Sequence, residues 1–191
     1  KPIKVMGPAF GSFAAVLAQS DEDKARLESL GAKDVLVTGS VKFDIVPDAS
    51  QMAAAKAWLT VLSRPVVLLA STRDGEEAAF LESFKKHPAL LAETLVVVVP
   101  RHPERFERVV ELFESAGLKT IRRSTLSTAE DLPADIQIVV GDSMGEMSFY
   151  CGLASMTVMG GSFGPFGSQN VVEPAMAGSP VVVGPSIFNF E

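Results

Sequence analysis

The sequence predicts an α/β fold, a Rossmann-like, doubly wound parallel sheet covered by helices on both faces. Apolar segments of strand length alternate with amphipathic segments of helical length, and "TLVVVVP" (94–100) is the most apolar of the strands. Strands that are apolar throughout are typical of a parallel sheet, because crossover helices bury both of its faces. The chain has 191 residues, of which 47% are hydrophobic, and this is enough for the core of one large domain.

The predicted strands and helices follow one another in that alternating order. Strands are predicted over residues 14–19, 34–39, 65–71, 94–100, 119–123, 136–141, 155–161 and 180–185. Helices are predicted over residues 20–31, 47–62, 73–87, 102–117, 144–154 and 170–178. Capping signals support the helices: Ser20 precedes three acidic residues and Gly31 follows the same helix. Similarly, Pro103 opens the fourth helix and Gly117 closes it.

A domain boundary is expected near residues 40–50, where "GSVKFDIVPDAS" interrupts the alternation. We therefore expect residues 1–40 to be a linker or the start of a carboxyl-terminal half, and residues 41–191 to be a nucleotide-binding domain. The sequence does not begin with Met and its last predicted strand has no helix after it. We expect it to be a piece of a longer protein.

Composition excludes several classes of protein and site. The net charge is −6, whereas nucleic-acid-binding domains are usually basic. A single cysteine allows no internal disulfide, and nothing in the spacing of Cys and His indicates a metal site. No apolar run reaches the roughly 18 residues that a membrane-spanning helix needs, so we expect the chain itself to be soluble. The sequence also lacks the phosphate-binding loop of P-loop NTPases.

Polar residues and glycines follow the predicted strands, at the point where each strand ends. These segments are Ser71-Thr72-Arg73, Arg101-His102, residues 142–146 and the glycine-rich residues 160–169. Because parallel strands have their carboxyl ends on the same edge of a sheet, these segments should converge. That edge is where open parallel sheets bind ligands, so the convergence predicts a binding site.

The stretch "GGSFGPFGSQNVVEPAMAGSP" (160–180) indicates what the site binds. Glycines let backbone N–H groups approach a ligand, and the short helix beginning near Asn170 offers more N–H groups to an anion. Glu173 could accept hydrogen bonds from two vicinal hydroxyls of a ribose, and Arg101 could form a fork with a phosphate. These residues suggest a nucleotide or a nucleotide-sugar. The alternatives are that the loop is only a tight turn and that Glu173 serves the helix dipole. Glu76 and Glu77 are interpreted as a solvated first helical turn.

Five segments resemble one known family, the bacterial 3-deoxy-D-manno-octulosonic acid (Kdo) transferases. They are "VTGSVKFD" (37–44), "ASTRDGEE" (70–77), "VPRHPERF" (99–106), "GDSMGEMSFYCGLASMTVMGGSF" (141–163) and "NVVEPAMAGSPVVVGPSIFNF" (170–190). The resemblance runs in order from about residue 16 to the end. It implies the carboxyl-terminal, donor-binding half of a two-domain B-type (GT-B) glycosyltransferase. The amino-terminal acceptor domain and the extreme carboxyl terminus are then expected to lie outside the given sequence.

The resemblance also implies roles for individual residues. The nucleotide contacts of the family fall on Pro100, Arg101, Met144, Gly145, Glu146, Asn170, Val171, Val172 and Glu173. Lys42, in the "GSVKFD" motif, falls on a family position thought to steady the transition state. The chain departs from the usual family pattern in two places: Arg73-Asp74 stands where "HE" is common, and Gln169 stands where the "GGHN" motif has a histidine.

The reaction implied is transfer of Kdo from CMP-Kdo to a lipid A precursor in lipopolysaccharide biosynthesis, without a metal or cofactor. The partners would be the CMP-Kdo donor, the acceptor and, through the missing half, the cytoplasmic face of the bacterial inner membrane; nucleic acid is not expected. The catalytic base would belong to the missing half, so the chain alone should be inactive. The alternatives are another GT-B sugar-nucleotide enzyme, such as a UDP-sugar transferase or epimerase, a non-catalytic nucleotide-binding module, and a purely structural domain.

Overall fold

A computed structural model describes residues 3–189 of the chain. Its residues divide into two compact units, one ending at Asp44 and one beginning at Ile45. This division falls within the seam predicted over residues 40–50. The roles assigned to residues 1–40 and 41–191 stay a prediction.

The first unit is small and contains two parallel strands. Its elements are α1 (Ile3–Phe10), β1 (Val16–Ala18), α2 (Asp21–Ser29), β2 (Val35–Val37) and a 3₁₀ turn (Val41–Phe43). The strands pair with Val16 opposite Val35, and the Ser20 hydroxyl caps α2 by accepting from the Asp23 N–H, as the sequence predicts.

Helix α1 is an element that the sequence does not predict, and it contains two poor helix formers, Gly7 and Pro8. It packs closely against the turn after α2: a Cβ on Gly31 would lie 3.1 Å from the Gly7 carbonyl oxygen. The absence of side chains at both positions allows this contact, so tertiary packing outweighs the local helix propensity.

The second unit is a doubly wound α/β domain. Its strands are β3 (Val66–Thr72), β4 (Leu95–Pro100), β5 (Thr120–Arg122), β6 (Ile138–Val140), β7 (Met156–Met159) and β8 (Val181–Val182). Its helices are α3 (Ala49–Leu59), α4 (Glu76–Lys86), α5 (Pro88–Glu93), α6 (Phe106–Ser115), α7 (Met147–Leu153) and α8 (Val172–Met176). Each predicted strand and helix is present, and α5 is an additional short helix.

The six strands form one parallel sheet in the order β5-β6-β4-β3-β7-β8. Helices cover both faces. One core layer contains Trp58, Phe149 and Tyr150, and the other contains Phe84 and Phe113. The predicted fold class is therefore confirmed. From β3 the chain first adds β4, β6 and β5 on one side of the sheet and then returns to add β7 and β8 on the other side. The connections that leave β3 and β7 therefore run in opposite directions, and a crevice opens between them at the carboxyl ends of the strands.

Within residues 3–189, no helix is both long enough and apolar enough to cross a lipid bilayer.

Candidate functional site

A cavity of about 300 Å³ opens at the carboxyl edge of the sheet. Its walls come from the ends of β3 and β7, from the segments that follow β4, β6 and β7, and from the beginnings of α7 and α8. They are formed by Ser71, Arg101, Met144, Gly145, Met147, Met159, Gln169, Asn170, Glu173 and Pro174. A smaller cavity of about 70 Å³ shares the walls at Ser71, Arg101 and Met144. The segments predicted to converge at the strand ends therefore do meet, and they enclose a cavity.

The structure brings most of the predicted site residues together at this edge. Arg101, Met144, Gly145, Asn170 and Glu173 line the larger cavity. Pro100 and Glu146 line the smaller one. Val171 and Val172 lie at the beginning of α8 and belong to neither lining; the Val171 side chain instead packs against the core. The side chain of Lys42 lies outside the part of the chain that the structure describes.

The backbones at the ends of the neighbouring strands β3 and β7 lie very close together at Ser71 and Gly160. Ser71 has φ +53°, in the left-handed region, at a break in the pairing register of β3 with β4. A Cβ on Gly160 would lie 2.5 Å from the Ser71 carbonyl oxygen, so only glycine fits there. Strained non-glycine residues are concentrated at functional sites, and Ser71 lines both cavities.

Arg101 presents a partly free cation to the cavity. Its backbone N–H donates to the Thr72 carbonyl at 3.0 Å, which ties the end of β4 to the end of β3. Its Nε donates to Oε1 of Gln169 at 3.2 Å. Among the described residues, neither Nη atom of Arg101 has an acceptor. The two Nη nitrogens of the guanidinium therefore remain able to donate hydrogen bonds to a phosphate.

Glu173 presents a half-buried carboxyl group to the same cavity. The hydroxyl of Ser148 donates to its Oε1 at the long distance of 3.5 Å. Burial raises the pKa of the Glu173 carboxyl, and the hydrogen bond from Ser148 opposes this only partly. Burial also raises the pKa of the neighbouring Cys151 thiol to about 12, with a contribution from Glu173. Glu173 therefore retains most of its capacity to accept hydrogen bonds from a ligand, and Cys151 stays a neutral thiol.

The side chain of Glu146 makes hydrogen bonds within the protein and is not free for a ligand. Its carboxylate accepts from Arg123 Nη2 at 3.0 Å and from the Ser143 hydroxyl. The Arg123 guanidinium in turn lies 4.8 Å from the ring of Phe149. With the carboxylate so occupied, Glu146 can serve a ligand chiefly through its backbone. Met144 is different: it is 67% exposed and offers an apolar surface at the rim.

The prediction that Glu76 and Glu77 form a solvated turn is wrong. Glu76 is 4% exposed, and its carboxylate accepts backbone N–H groups from Arg73 and Gly161 at 2.8 Å and from Phe163 at 3.1 Å. It thereby fixes the glycine-rich loop to the beginning of α4. No local sequence signal could have indicated this role, because Gly161 and Phe163 are 85 and 87 positions away from Glu76 in the chain.

Glu77 forms a buried ion pair. It is 1% exposed and accepts from both terminal nitrogens of Arg105, at 2.9 and 2.7 Å. Arg73 and His102 also contact each other, with Nη1 and Nε2 2.9 Å apart, and the Arg73 guanidinium lies 4.6 Å from the ring of Phe166. Neither of these two residues lines the cavities.

No group of three or more His, Cys, Asp or Glu residues in the described part of the chain is arranged to hold a metal ion.

Comparison with known proteins gives three consistent similarities. Residues 2–45 match the family model described as 3-deoxy-D-manno-octulosonic-acid transferase (kdotransferase). The chain is 43% identical over 186 residues to the 3-deoxy-D-manno-octulosonic acid transferase of Bordetella pertussis, covering 96% of this chain and 43% of that protein. It is 34% identical over 189 residues to the enzyme of the same name from Haemophilus influenzae, covering 95% of this chain and 43% of that protein.

A solved structure is also similar. The carboxyl-terminal CMP-Kdo binding domain of WaaA from Acinetobacter baumannii aligns with a TM-score of 0.68 and 35% sequence identity, covering 75% of each chain. The chain spans less than half the length of the curated relatives that it matches.

Proposed function

The chain belongs to the 3-deoxy-D-manno-octulosonic acid (Kdo) transferase family, and we propose that it is the part that binds the donor, CMP-Kdo. One observation carries the proposal: Arg101, whose two Nη atoms have no partner among residues 3–189 as the structure describes them, lines the same cavity as Glu173, whose carboxyl group can accept hydrogen bonds. A cation and an acceptor group in one cavity suit the phosphate and the ribose hydroxyls of a nucleotide.

We assign each part of the nucleotide to particular residues. Arg101 directs its guanidinium at the phosphate, Glu173 accepts from the ribose hydroxyls, and Met144 packs against the cytosine. Gly145 and Glu146 contribute backbone N–H groups, as do Asn170 and Val171 in the turn before α8. The helices α7 and α8 are only 7 and 5 residues long, and Asn170 Oδ1 already accepts the Val172 N–H. We therefore assign most of the phosphate binding to Arg101.

The proposed reaction is transfer of Kdo to a sugar hydroxyl of a lipid A precursor. The hydroxyl oxygen forms a bond to the anomeric carbon of Kdo, and the bond from that carbon to the CMP phosphate oxygen breaks. The phosphate takes the electron pair, so negative charge grows on CMP as it leaves. A positively charged Arg101 stabilises that charge, and this is the contribution that preorganised donors make to catalysis.

The remaining roles involve groups beyond the cavity. Lys42 is proposed to offset negative charge while the bond breaks. The base that removes the acceptor proton, the acceptor itself and the attachment to the cytoplasmic face of the inner membrane are assigned to the rest of a full-length protein. The chain alone is accordingly proposed to bind the nucleotide weakly and to turn over no donor.

Calorimetric titration of the 191-residue chain with CMP tests the proposal. The chain should bind CMP more tightly than UMP, and Arg101→Ala should weaken CMP binding about tenfold or more, as expected for loss of a charge-assisted contact. Glu173→Ala should weaken binding by a similar or smaller factor. Arg108→Ala serves as the control, because Arg108 is 75% exposed and lines neither cavity at the sheet edge.

Equal CMP affinity in the wild type, Arg101→Ala and Glu173→Ala would refute the assigned roles. Preference for UMP over CMP would favour a UDP-sugar enzyme instead. Absence of binding to either nucleotide would favour a structural domain.

A further inference from the structure

Gln169 touches Arg101 inside the cavity. Its side-chain Oε1 accepts the Arg101 Nε–H at 3.2 Å, although the two residues are 68 positions apart in the chain. Both side chains line the larger cavity. Sequence patterns do not reveal this contact, because the two residues meet only after the sheet has formed.

The backbone holds Gln169 in place for this contact. Its N–H donates to the Gly160 carbonyl at 3.1 Å, and the preceding Ser168 N–H donates to the Gly161 carbonyl at 2.8 Å. The side-chain amide lies directly over Gly161, where a Cβ would be only 3.0 Å from Nε2. Gly161 is itself fixed by the buried carboxylate of Glu76. The Gln169 Oε1 atom that accepts from Arg101 therefore belongs to a loop that several hydrogen bonds hold in place.

The contact has a consequence for phosphate binding. A guanidinium whose Nε is engaged presents its two Nη atoms, and these form the end-on fork that matches two phosphate oxygens. A free arginine side chain loses rotamer freedom when it binds, and one already held in place loses less. Because the Gln169 amide is neutral, it restrains Arg101 without neutralising the charge that the phosphate needs.

We propose that Gln169 is a positioning residue, which orients the Arg101 guanidinium towards the donor phosphate. This inference rests on the proposed function, since it requires that Arg101 binds the phosphate. It predicts that Gln169 acts on phosphate affinity and has little effect on affinity for the nucleoside part of the ligand.

Titrations with CMP and with cytidine test the inference in Gln169→Met, Gln169→Glu and the wild type. Gln169→Met keeps the side-chain length but removes the acceptor, and it should weaken CMP binding about 3- to 10-fold. Gln169→Glu should weaken it more, because a carboxylate pairs with Arg101 and repels the phosphate. Binding of cytidine should change less than twofold in both variants, because cytidine has no phosphate for Arg101 to contact.

A double-mutant cycle with Arg101→Ala supplies the second readout. In the Arg101→Ala background, Gln169→Met should have no further effect on CMP affinity, because the residue acts through Arg101. Additive losses, or equal losses for CMP and cytidine, would show a merely structural role and overturn the inference. Loss of CMP binding in Arg101→Ala but not in the Gln169 variants would overturn the inference alone. Failure of the wild-type chain to bind CMP would overturn the proposed function and this inference with it.

Discussion

The beginning of α4 and the cavity beside Arg101 both gather charged side chains at the carboxyl edge of one sheet. At the beginning of α4, Glu76 accepts three backbone N–H groups and Glu77 is paired with Arg105. In the cavity, Arg101 keeps both Nη donors unpartnered among the described residues, and Glu173 has one long hydrogen bond. The first cluster uses its hydrogen-bonding capacity to hold the loops, while the second keeps that capacity for a ligand.

This difference predicts opposite responses to substitution. Changes in the paired cluster should lower the free energy of unfolding, and changes in the cavity should lower nucleotide affinity while leaving stability nearly unchanged.

The largest loss of stability is expected for Arg105→Met. The substitution leaves the carboxylate of Glu77 buried without its ion-pair partner, which typically costs about 3–5 kcal/mol. Urea unfolding followed by circular dichroism measures the loss. The matched control is Arg108→Met, whose exposed ion pair with Asp74 at 3.2 Å should contribute less than about 1 kcal/mol. Similar losses in the two variants would contradict the contrast between the paired cluster and the surface.

A smaller loss, of about 1–3 kcal/mol, is expected for Glu76→Gln. Glutamine keeps one carbonyl acceptor of nearly the same shape but replaces the second oxygen with a donor. At least one of the three N–H groups, from Arg73, Gly161 and Phe163, is then left without a good acceptor. The amides of Gly161 and Phe163 should exchange hydrogen faster, which hydrogen exchange with mass spectrometry detects. Unchanged protection of this loop would contradict the role assigned to Glu76.

The smallest effect is expected for Glu173→Gln, and it depends on pH. Burial raises the pKa of the Glu173 carboxyl above the ordinary value of 4.5, so the folded state holds its proton to a higher pH than the unfolded state does. Wild-type stability should therefore fall relative to Glu173→Gln as the pH rises from about 4 through the raised pKa. Thermal unfolding of both proteins between pH 4 and about pH 8 measures the difference. A difference that is constant with pH, or that changes in the opposite direction, would contradict the raised pKa.

The sequence predicted the features that depend on local pattern and on the geometry of parallel sheets. Continuous apolar runs identified the strands. The carboxyl ends of parallel strands share one edge of the sheet, and this geometry predicted that Arg101 and Glu173 lie close together although they are far apart in the chain. No local signal could show that Glu76 reaches Gly161, because the two residues are 85 positions apart and meet only after the sheet has formed.

Two other features that the sequence does not predict also arise from tertiary contacts. Helix α1 contains Gly7 and Pro8, and its formation is explained by close packing with Gly31 that sequence patterns do not reveal. The left-handed conformation of Ser71 is equally invisible in sequence, because it follows from the register break in β3 beside Gly160.

A crystal structure of the chain with CMP tests the central claim most directly. The account predicts phosphate oxygens at about 3 Å from the Nη atoms of Arg101 and ribose hydroxyls at hydrogen-bonding distance from Glu173. CMP bound elsewhere, for example in the groove between α4 and α6 beside Arg105 and Arg108, would contradict it.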